Sequence, residues 1–210
     1  MDAQGTPLPQ LIVQVETRVA NVPDGEMTAT IQAELVKMDL LPEEHIVDTG
    51  YVDAALLVSS QHQGISLLGP VLADTSWQAQ EDKGFDQKHF VIDWMAQQAT
   101  CPQGQTSSRV STRGARMEIV FATEVCAACP VRGDCTRWQT TGRVLHLRPQ
   151  AEHEALQRRR QEQPTPELRE RYTTRAGIEA MISQQALQYE AWGYDAHAMM
   201  GCIRRICSIF

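Results

Sequence analysis

An aspartate that follows a short apolar run is the first residue whose type and position could do chemistry. Asp48 comes directly after His45-Ile-Val47, and the next helix is predicted to begin at Asp53. In open α/β sheets, ligands bind beyond the carboxyl ends of the strands. Gly50 permits a tight turn that would leave Asp48 exposed there. Asp48 is therefore a candidate catalytic carboxylate, although aspartate before Thr-Gly is also a common turn residue.

A glutamate near the other end of the chain is a candidate partner for this carboxylate. Glu179 lies on a predicted helix among apolar neighbours, Ile178, Met181 and Ile182, so this helix is expected to pack against another element. Two carboxylates that converge from a strand end and a helix could hold Mg²⁺, which takes oxygen ligands and bridges them to phosphate. The alternative is a solvated surface glutamate.

Four cysteines have the spacing of a metal site. Cys126, Cys129 and Cys135 form a C-x2-C-x5-C pattern, and Cys101-Pro102 lies upstream. Four thiolates from two loops satisfy the tetrahedral coordination of Zn²⁺, which the pattern favours. The same spacing resembles four-cysteine iron–sulfur sites, and four reduced structural cysteines are the remaining alternative. A small zinc or iron–sulfur regulatory protein built on this motif alone is disfavoured by the α/β pattern on both sides.

Arginines supply the candidate contacts to nucleic acid. Arg158, Arg159 and Arg160 are consecutive, and Arg175 precedes Glu179 by four positions. Beside a pair of metal-holding carboxylates, such arginines are suited to the DNA backbone. Because glutamates flank the run, it could also be a salt-bridged helical face.

The elements that must position Asp48 follow an alternating pattern. Strands and helices are predicted in turn within the first sixty residues: a strand at Leu11–Val15, a helix at Asp24–Met38, a strand at His45–Val47 and a helix capped by Asp53. This order is typical of the α/β class.

The next ninety residues are predicted to be mostly β structure with many Gly, Pro, Ser and Cys residues. Short β-type runs occur at Ile65–Leu68, His89–Trp94, Met117–Ala122 and Val144–Leu147. Helical patterning returns at Glu152–Gln163. A long helix is then predicted from Pro166, with Thr165 as its cap, through Tyr172 and Ile182.

Composition excludes several classes of protein. The 210 residues are 42% hydrophobic and 21% charged, as in a globular chain. No stretch approaches the ~20 apolar residues of a membrane-spanning helix, and the first residues lack a secretory signal, so a cytoplasmic location is expected.

Residues 1–99 carry 4 Lys/Arg against 15 Asp/Glu, and residues 100–210 carry 15 against 11. The net charge of −7 excludes a wholly basic nucleic-acid binder, but the second half can still meet phosphates.

Together, these segments resemble the C-terminal part of bacterial insertion-sequence transposases of the DDE type. The resemblance covers roughly Leu8 to Gln184. It is carried by VETRVANVPDGEMTATIQAEL, LLPEEHIVDTGYVDAALLVSS, CAACPVRGDCTR and LRPQAEHEALQRRRQEQPTPELRERYTTRAGIEAMISQ. The family forms Asp-Ala-Gly-Tyr and Arg-Ala-Gly-Val-Glu-Gly-Thr-Ile-Ser-Gln align with the segments that contain Asp48 and Glu179.

The resemblance implies a partial RNase H-like α/β core with a mostly β, Cys-rich insertion and a long C-terminal helix. The implied layout is a core over residues 1–60, an insertion with the four-cysteine site over 61–150, and a helical return over 151–184. It also implies that Asp48 and Glu179 are the second and third carboxylates of a DDE triad. Such a triad holds Mg²⁺ for phosphoryl transfer on DNA, with the element ends and other transposase subunits as partners.

The chain departs from the family at two places. The first catalytic aspartate belongs on the opening strand of the core, well before Leu11, and Asp2 does not match it. Residues 185–210 are expected to be a frameshifted tail, because back-translation from Asp195 in another frame permits the family's Arg-Ala-Arg-Tyr stretch; a divergent C terminus is the alternative. We therefore expect a decayed transposase fragment, inactive alone, so its status as an enzyme is open. The alternative is a non-catalytic DNA- or transposase-binding remnant with a structural metal site.

Overall fold

The computed structural model describes residues 25–81 and 84–176, together with Val13, Gln14, Glu16 and Pro23. These residues form two compact units. The first comprises the described residues up to Val71 and those from Ala155 onward, and the second comprises those of Leu72–Glu154. Both helices and small sheets are present, which confirms the mixed α/β class. In the part of the chain that is described, no helix combines the length and apolar character that crossing a membrane requires.

The described part of the first unit begins with two helix–strand pairs. Its elements are α1 (Gly25–Lys37), β1 (Glu44–Ile46), α2 (Ala54–His62) and β2 (Ser66–Leu68). The strands β1 and β2 are parallel, with Glu44 opposite Ser66 and Ile46 opposite Leu68.

Apolar spacing explains the two helices of this unit. Met27, Ile31 and Leu35 recur every four residues, so they share one face of α1 and are buried. Asp53 caps α2 as predicted, since its Oδ1 accepts a hydrogen bond from the backbone N–H of Leu56 at 2.8 Å.

The second unit consists of short helices and antiparallel strands. Its elements are α3 (Trp77–Gln80), β3 (Val91–Asp93), β4 (Gln98–Thr100), β5 (Arg109–Arg113), β6 (Arg116–Val120), α4 (Thr123–Ala127), α5 (Arg132–Cys135) and β7 (Val144–Leu147). The strands β3 and β4 form a hairpin, and the other three form a sheet in the order β5-β6-β7. The core of this unit is the cluster Phe90, Ala99, Ile119, Phe121, Leu145 and Leu147.

Two further helices follow, α6 (Gln150–Glu162) and α7 (Pro166–Thr173). Thr165 caps α7 as predicted and Pro166 occupies its first turn. The helix that begins at Pro166 is shorter than predicted, because α7 ends at Thr173; most of the predicted continuation through Ile182 lies outside the described residues. The hydroxyls of Thr173 and Thr174 donate to the carbonyls of Glu170 and Arg171, and such side-chain bonds compete with helical backbone bonds.

Other differences from the predicted elements have local causes. The strands β4 and β5 were not predicted, because Gln98–Thr100 and Arg109–Arg113 are mostly polar and show no clear alternation of apolar and polar residues. The structure pairs β2 with β1 inside the first unit, whereas the sequence suggested that this segment belongs to the insertion. The predicted strand at Leu11–Val15, Glu179 and the tail from residue 185 lie outside the described residues.

Candidate active site

Asp48 lies just beyond the carboxyl end of β1, two residues after Ile46. Its side chain is 52% exposed, and its Oδ1 accepts the backbone N–H of Thr49 at 2.8 Å, so it caps the 3₁₀ turn Thr49–Tyr51. The structure therefore places this carboxylate at the end of a strand, as its position in the sequence predicted, and partly exposed to solvent.

The backbone immediately before Asp48 packs tightly against the segment that follows β2. Val47 is buried, and its N–H donates to the carbonyl oxygen of Leu68 at 2.8 Å. A Cβ at Gly69 would lie 2.6 Å from the carbonyl oxygen of Val47, so this close approach requires glycine. Packing thus fixes the backbone immediately before Asp48.

Two side chains from the region after α6 contact Asp48. The Tyr172 hydroxyl donates to Asp48 Oδ1 at 3.4 Å, and Arg175 Nη2 lies 3.4 Å from Asp48 Oδ2. The Arg175 guanidinium also lies 5.9 Å from the centre of the Tyr172 ring. Both oxygens of Asp48 are therefore engaged, one by hydrogen-bond donors and the other by a cation, which restrains the carboxylate.

Sequence reasoning missed Tyr172 and gave Arg175 a different role. The sequence placed Tyr172 on a predicted helix without assigning it a role, and it predicted that Arg175 binds nucleic acid. Their separation of three residues could have indicated that both face one point beside α7, since residues i and i+3 are neighbours on a helix. Glu179, the predicted partner of Asp48, lies outside the described residues.

A buried polar network lies beneath the site and joins α1, β1 and α2. Gln32 Nε2 donates to Ser60 Oγ at 2.9 Å and lies 3.3 Å from His45 Nδ1. His45 Nε2 is buried without a hydrogen-bond partner. Burial lowers the pKa of His45 from 6.5 to about 4, because the protonated ring would lose its hydration. His45 is thus a neutral structural residue three positions before Asp48.

The four cysteines of the predicted metal site line one small cavity of about 40 Å³ in the second unit, together with Phe121 and Arg143. The zinc site, with its iron–sulfur alternative, is not supported: across residues 25–81 and 84–176 no three or more His, Cys, Asp or Glu side chains are arranged to hold a metal. Burial raises the pKa of the Cys135 thiol to about 11.

The other predicted DNA contacts do not form one uniform surface. Arg158 is exposed, whereas Arg159 is largely buried and its Nη2 donates to the carbonyl oxygen of Leu67 at 2.8 Å. Arg160 is half-buried and makes contacts of its own. Consecutive residues on a helix point in different directions, so a run of three arginines spreads over more than one face.

Comparison with known proteins gives one match. A family model described as "Transposase DDE domain" matches residues 100–204, which is half of the chain. The matched range contains Glu179, Tyr172 and Arg175 but not Asp48, and it runs past Gln184, where the resemblance was expected to stop. No curated protein and no solved structure matches the chain.

Proposed function

The chain belongs to the transposase DDE-domain family, and from this premise we propose that Asp48 and Glu179 are two of its catalytic carboxylates. Proteins of this family act on DNA and generally use Mg²⁺. We assign the first unit to an RNase H-like core and the polypeptide to a fragment of an insertion-sequence transposase. Because its proposed partner is chromosomal or element DNA, we expect it in the cytoplasm.

The position of Asp48 is the observation that carries this proposal. It is an exposed carboxylate at the carboxyl end of a parallel strand, and Tyr172 and Arg175, which contact it, lie inside the matched range. The contacts therefore connect Asp48, which lies outside that range, to the segment that leads to Glu179. The sequence predicted two carboxylates that converge from a strand end and a helix, and the second of them, Glu179, lies outside the described residues.

The chemistry of Asp48 fits Mg²⁺ as one ligand of a larger set. Its oxygens are hard donors, and half of the side chain is exposed. Asp48 and Glu179 would hold the ion, which when bound activates water or a 3′-hydroxyl for attack on a phosphodiester and stabilises the leaving oxygen. Tyr172 and the Thr49 N–H orient Asp48, and Arg175 balances its charge and can turn toward a nearby phosphate.

We expect no DNA cleavage by the 210-residue polypeptide alone, because these residues supply only two carboxylates of the triad. The measurement is nicking of supercoiled plasmid in Mg²⁺ or Mn²⁺, with the Asp48→Asn variant as a comparison. The plasmid should stay supercoiled with both proteins. Nicking by the unmodified polypeptide that disappears in Asp48→Asn would contradict the proposed inactivity and would identify a working site.

A second candidate function is a non-catalytic remnant that binds DNA or another transposase subunit. One observation favours it: among the described residues, Asp48 faces Arg175 and Tyr172 rather than a second carboxylate. DNA binding in EDTA that Asp48→Asn leaves unchanged would favour this candidate over a metal-dependent role.

A further inference from the structure

A cleft in the first unit lies between β2 and the helices α6 and α7. Its volume is about 590 Å³, within the range of about 300–1,000 Å³ that is usual for ligand sites. Its walls are apolar where Leu57 and Leu168 line it, and they carry guanidinium groups where Arg158, Arg159 and Arg171 line it. An apolar base with cations at the rim suits an anionic ligand with a less polar body.

The three arginines of the cleft differ in how many hydrogen bonds and ion pairs they form within the protein. Among the described residues, Arg158 makes no hydrogen bond or ion pair and is exposed. Arg171 forms an ion pair with Glu44, whose Oε1 accepts from Arg171 Nε at 3.1 Å and also from its Nη2. Arg158 is therefore the cation most available to a ligand, and Arg171 can share its remaining donors.

Arg159 contributes a positive charge behind the cleft that is incompletely compensated. Its Nη2 bonds the Leu67 carbonyl, whereas its Nε and Nη1 are buried without hydrogen-bond partners. The nearest carboxylate, of Glu162, lies 3.6 Å from Nε, beyond hydrogen-bonding range. A buried cation with so few partners is costly, and an anion in the adjacent cleft lowers that cost.

The positive charge of the cleft is concentrated at Arg158, because Glu44 forms an ion pair with Arg171 and balances its charge. Glu162 and Glu167 also line it, against the three arginines. Thr165, the cap of α7, lines the cleft too, so the positive end of that eight-residue helix faces it. Few of its backbone N–H groups are available to an anion, because Pro166 has none and the Leu168 N–H donates to Thr165 Oγ1, so the arginines are the main anion donors of the cleft.

We propose that this cleft binds a phosphate monoester of nucleotide size, with Arg158 and Arg171 on the phosphate. Guanidinium groups match phosphate oxygens in geometry and charge. The phosphate can come from a free mononucleotide or from the 5′-phosphorylated end of a DNA strand; a duplex is too wide to enter. The inference deepens the proposed function by naming a phosphate site apart from Asp48.

The test measures binding of dTMP, a 5′-phosphorylated oligonucleotide and its 5′-hydroxyl counterpart to the full chain by titration calorimetry. Buffers contain EDTA, so failure of a metal site at Asp48 does not affect the result. The test variant is Arg158→Gln, and the matched control is Arg113→Gln, an exposed arginine on β5 that removes the same charge. Ser66→Trp, from an exposed position that lines the cleft, tests occlusion independently.

We expect Arg158→Gln to weaken binding of phosphorylated ligands about tenfold, equivalent to about 1.4 kcal/mol, and Ser66→Trp to abolish it. Arg113→Gln should change it less than twofold. Tighter binding of the 5′-phosphorylated oligonucleotide than of dTMP would identify a DNA end as the source, and equal binding would identify a free nucleotide. The proposal is overturned if dTMP and the phosphorylated strand fail to bind at millimolar concentration, or if Arg158→Gln and Arg113→Gln weaken binding equally.

Discussion

Replacing Gly142 with alanine should destabilise the second unit by about 3 kcal/mol, at the upper end of the usual cost of overpacking. A Cβ at this position would lie 2.0 Å from the carbonyl oxygen of Phe121. That oxygen belongs to the backbone, so no side-chain rotation can relieve the clash. Phe121 is 2% exposed and part of the core cluster, and its N–H donates to Arg143 O at 2.9 Å. A shift of the backbone at Phe121 would therefore disturb both the core cluster and the hydrogen bond to Arg143, the residue before β7.

Gly133→Ala is the matched control, because nothing lies within 4 Å of a Cβ there. Since Gly133 lies in α5, alanine should leave stability unchanged or raise it by up to about 1 kcal/mol. Urea unfolding followed by tryptophan fluorescence measures both variants. Equal midpoints for Gly142→Ala and Gly133→Ala would contradict the close contact between residue 142 and Phe121.

Acidification from pH 7 to pH 4 should cost the first unit about 3 kcal/mol through His45 alone. The ring is 4% exposed, and burial lowers its pKa from 6.5 to about 4. Below pH 6.5 the unfolded chain binds a proton that the folded chain does not bind until the pH approaches 4. The folded state therefore loses stability as the pH falls through this window, and about 2 kcal/mol of the loss occurs above pH 5.

His45→Gln should remove most of this pH dependence, because glutamine does not titrate. The variant also changes the bond with Gln32, so the comparison is the slope of stability against pH rather than its absolute value. His62→Gln, an exposed histidine at the end of α2, is the control and should keep the slope of the unmodified chain. Urea midpoints at pH 7, 6 and 5 give the slopes. An unchanged slope in His45→Gln would show that His45 is not the group responsible.

The elements that could be predicted from sequence are those marked by a local pattern, either regular apolar spacing or a capping residue. The four-residue spacing in α1 and the caps Asp53 and Thr165 are features of a few neighbouring residues, and the structure contains all of them. The strands β4 and β5 were not predictable in this way. They are mostly polar and depend on hairpin partners, which sequence periodicity does not reveal.

The same distinction between local patterns and tertiary contacts applies to the candidate site. Asp48 could be placed from sequence because a strand end and a turn glycine are local features. Its contacts with Tyr172 and Arg175 join residues more than 120 positions apart, so they depend on the tertiary fold. The cysteine spacing predicted a metal site that the described residues do not support, because spacing along the sequence does not fix how the four side chains are arranged in space.

Iron-directed cleavage tests most directly the proposal that Asp48 and Glu179 hold one divalent metal ion. Fe²⁺ replaces Mg²⁺, and ascorbate with hydrogen peroxide then generates radicals that cut the backbone close to the bound ion. Asp48→Asn removes the carboxylate under test. Asp39→Asn removes the same charge at an exposed residue with a φ of 56°, a conformation that asparagine tolerates.

We predict cuts near residues 48 and 179 that excess Mg²⁺ suppresses, that Asp48→Asn abolishes and that Asp39→Asn leaves intact. Cuts confined to the cysteine segment, or cuts near residue 48 that persist in Asp48→Asn, would contradict the assignment of Asp48 as a metal-holding carboxylate.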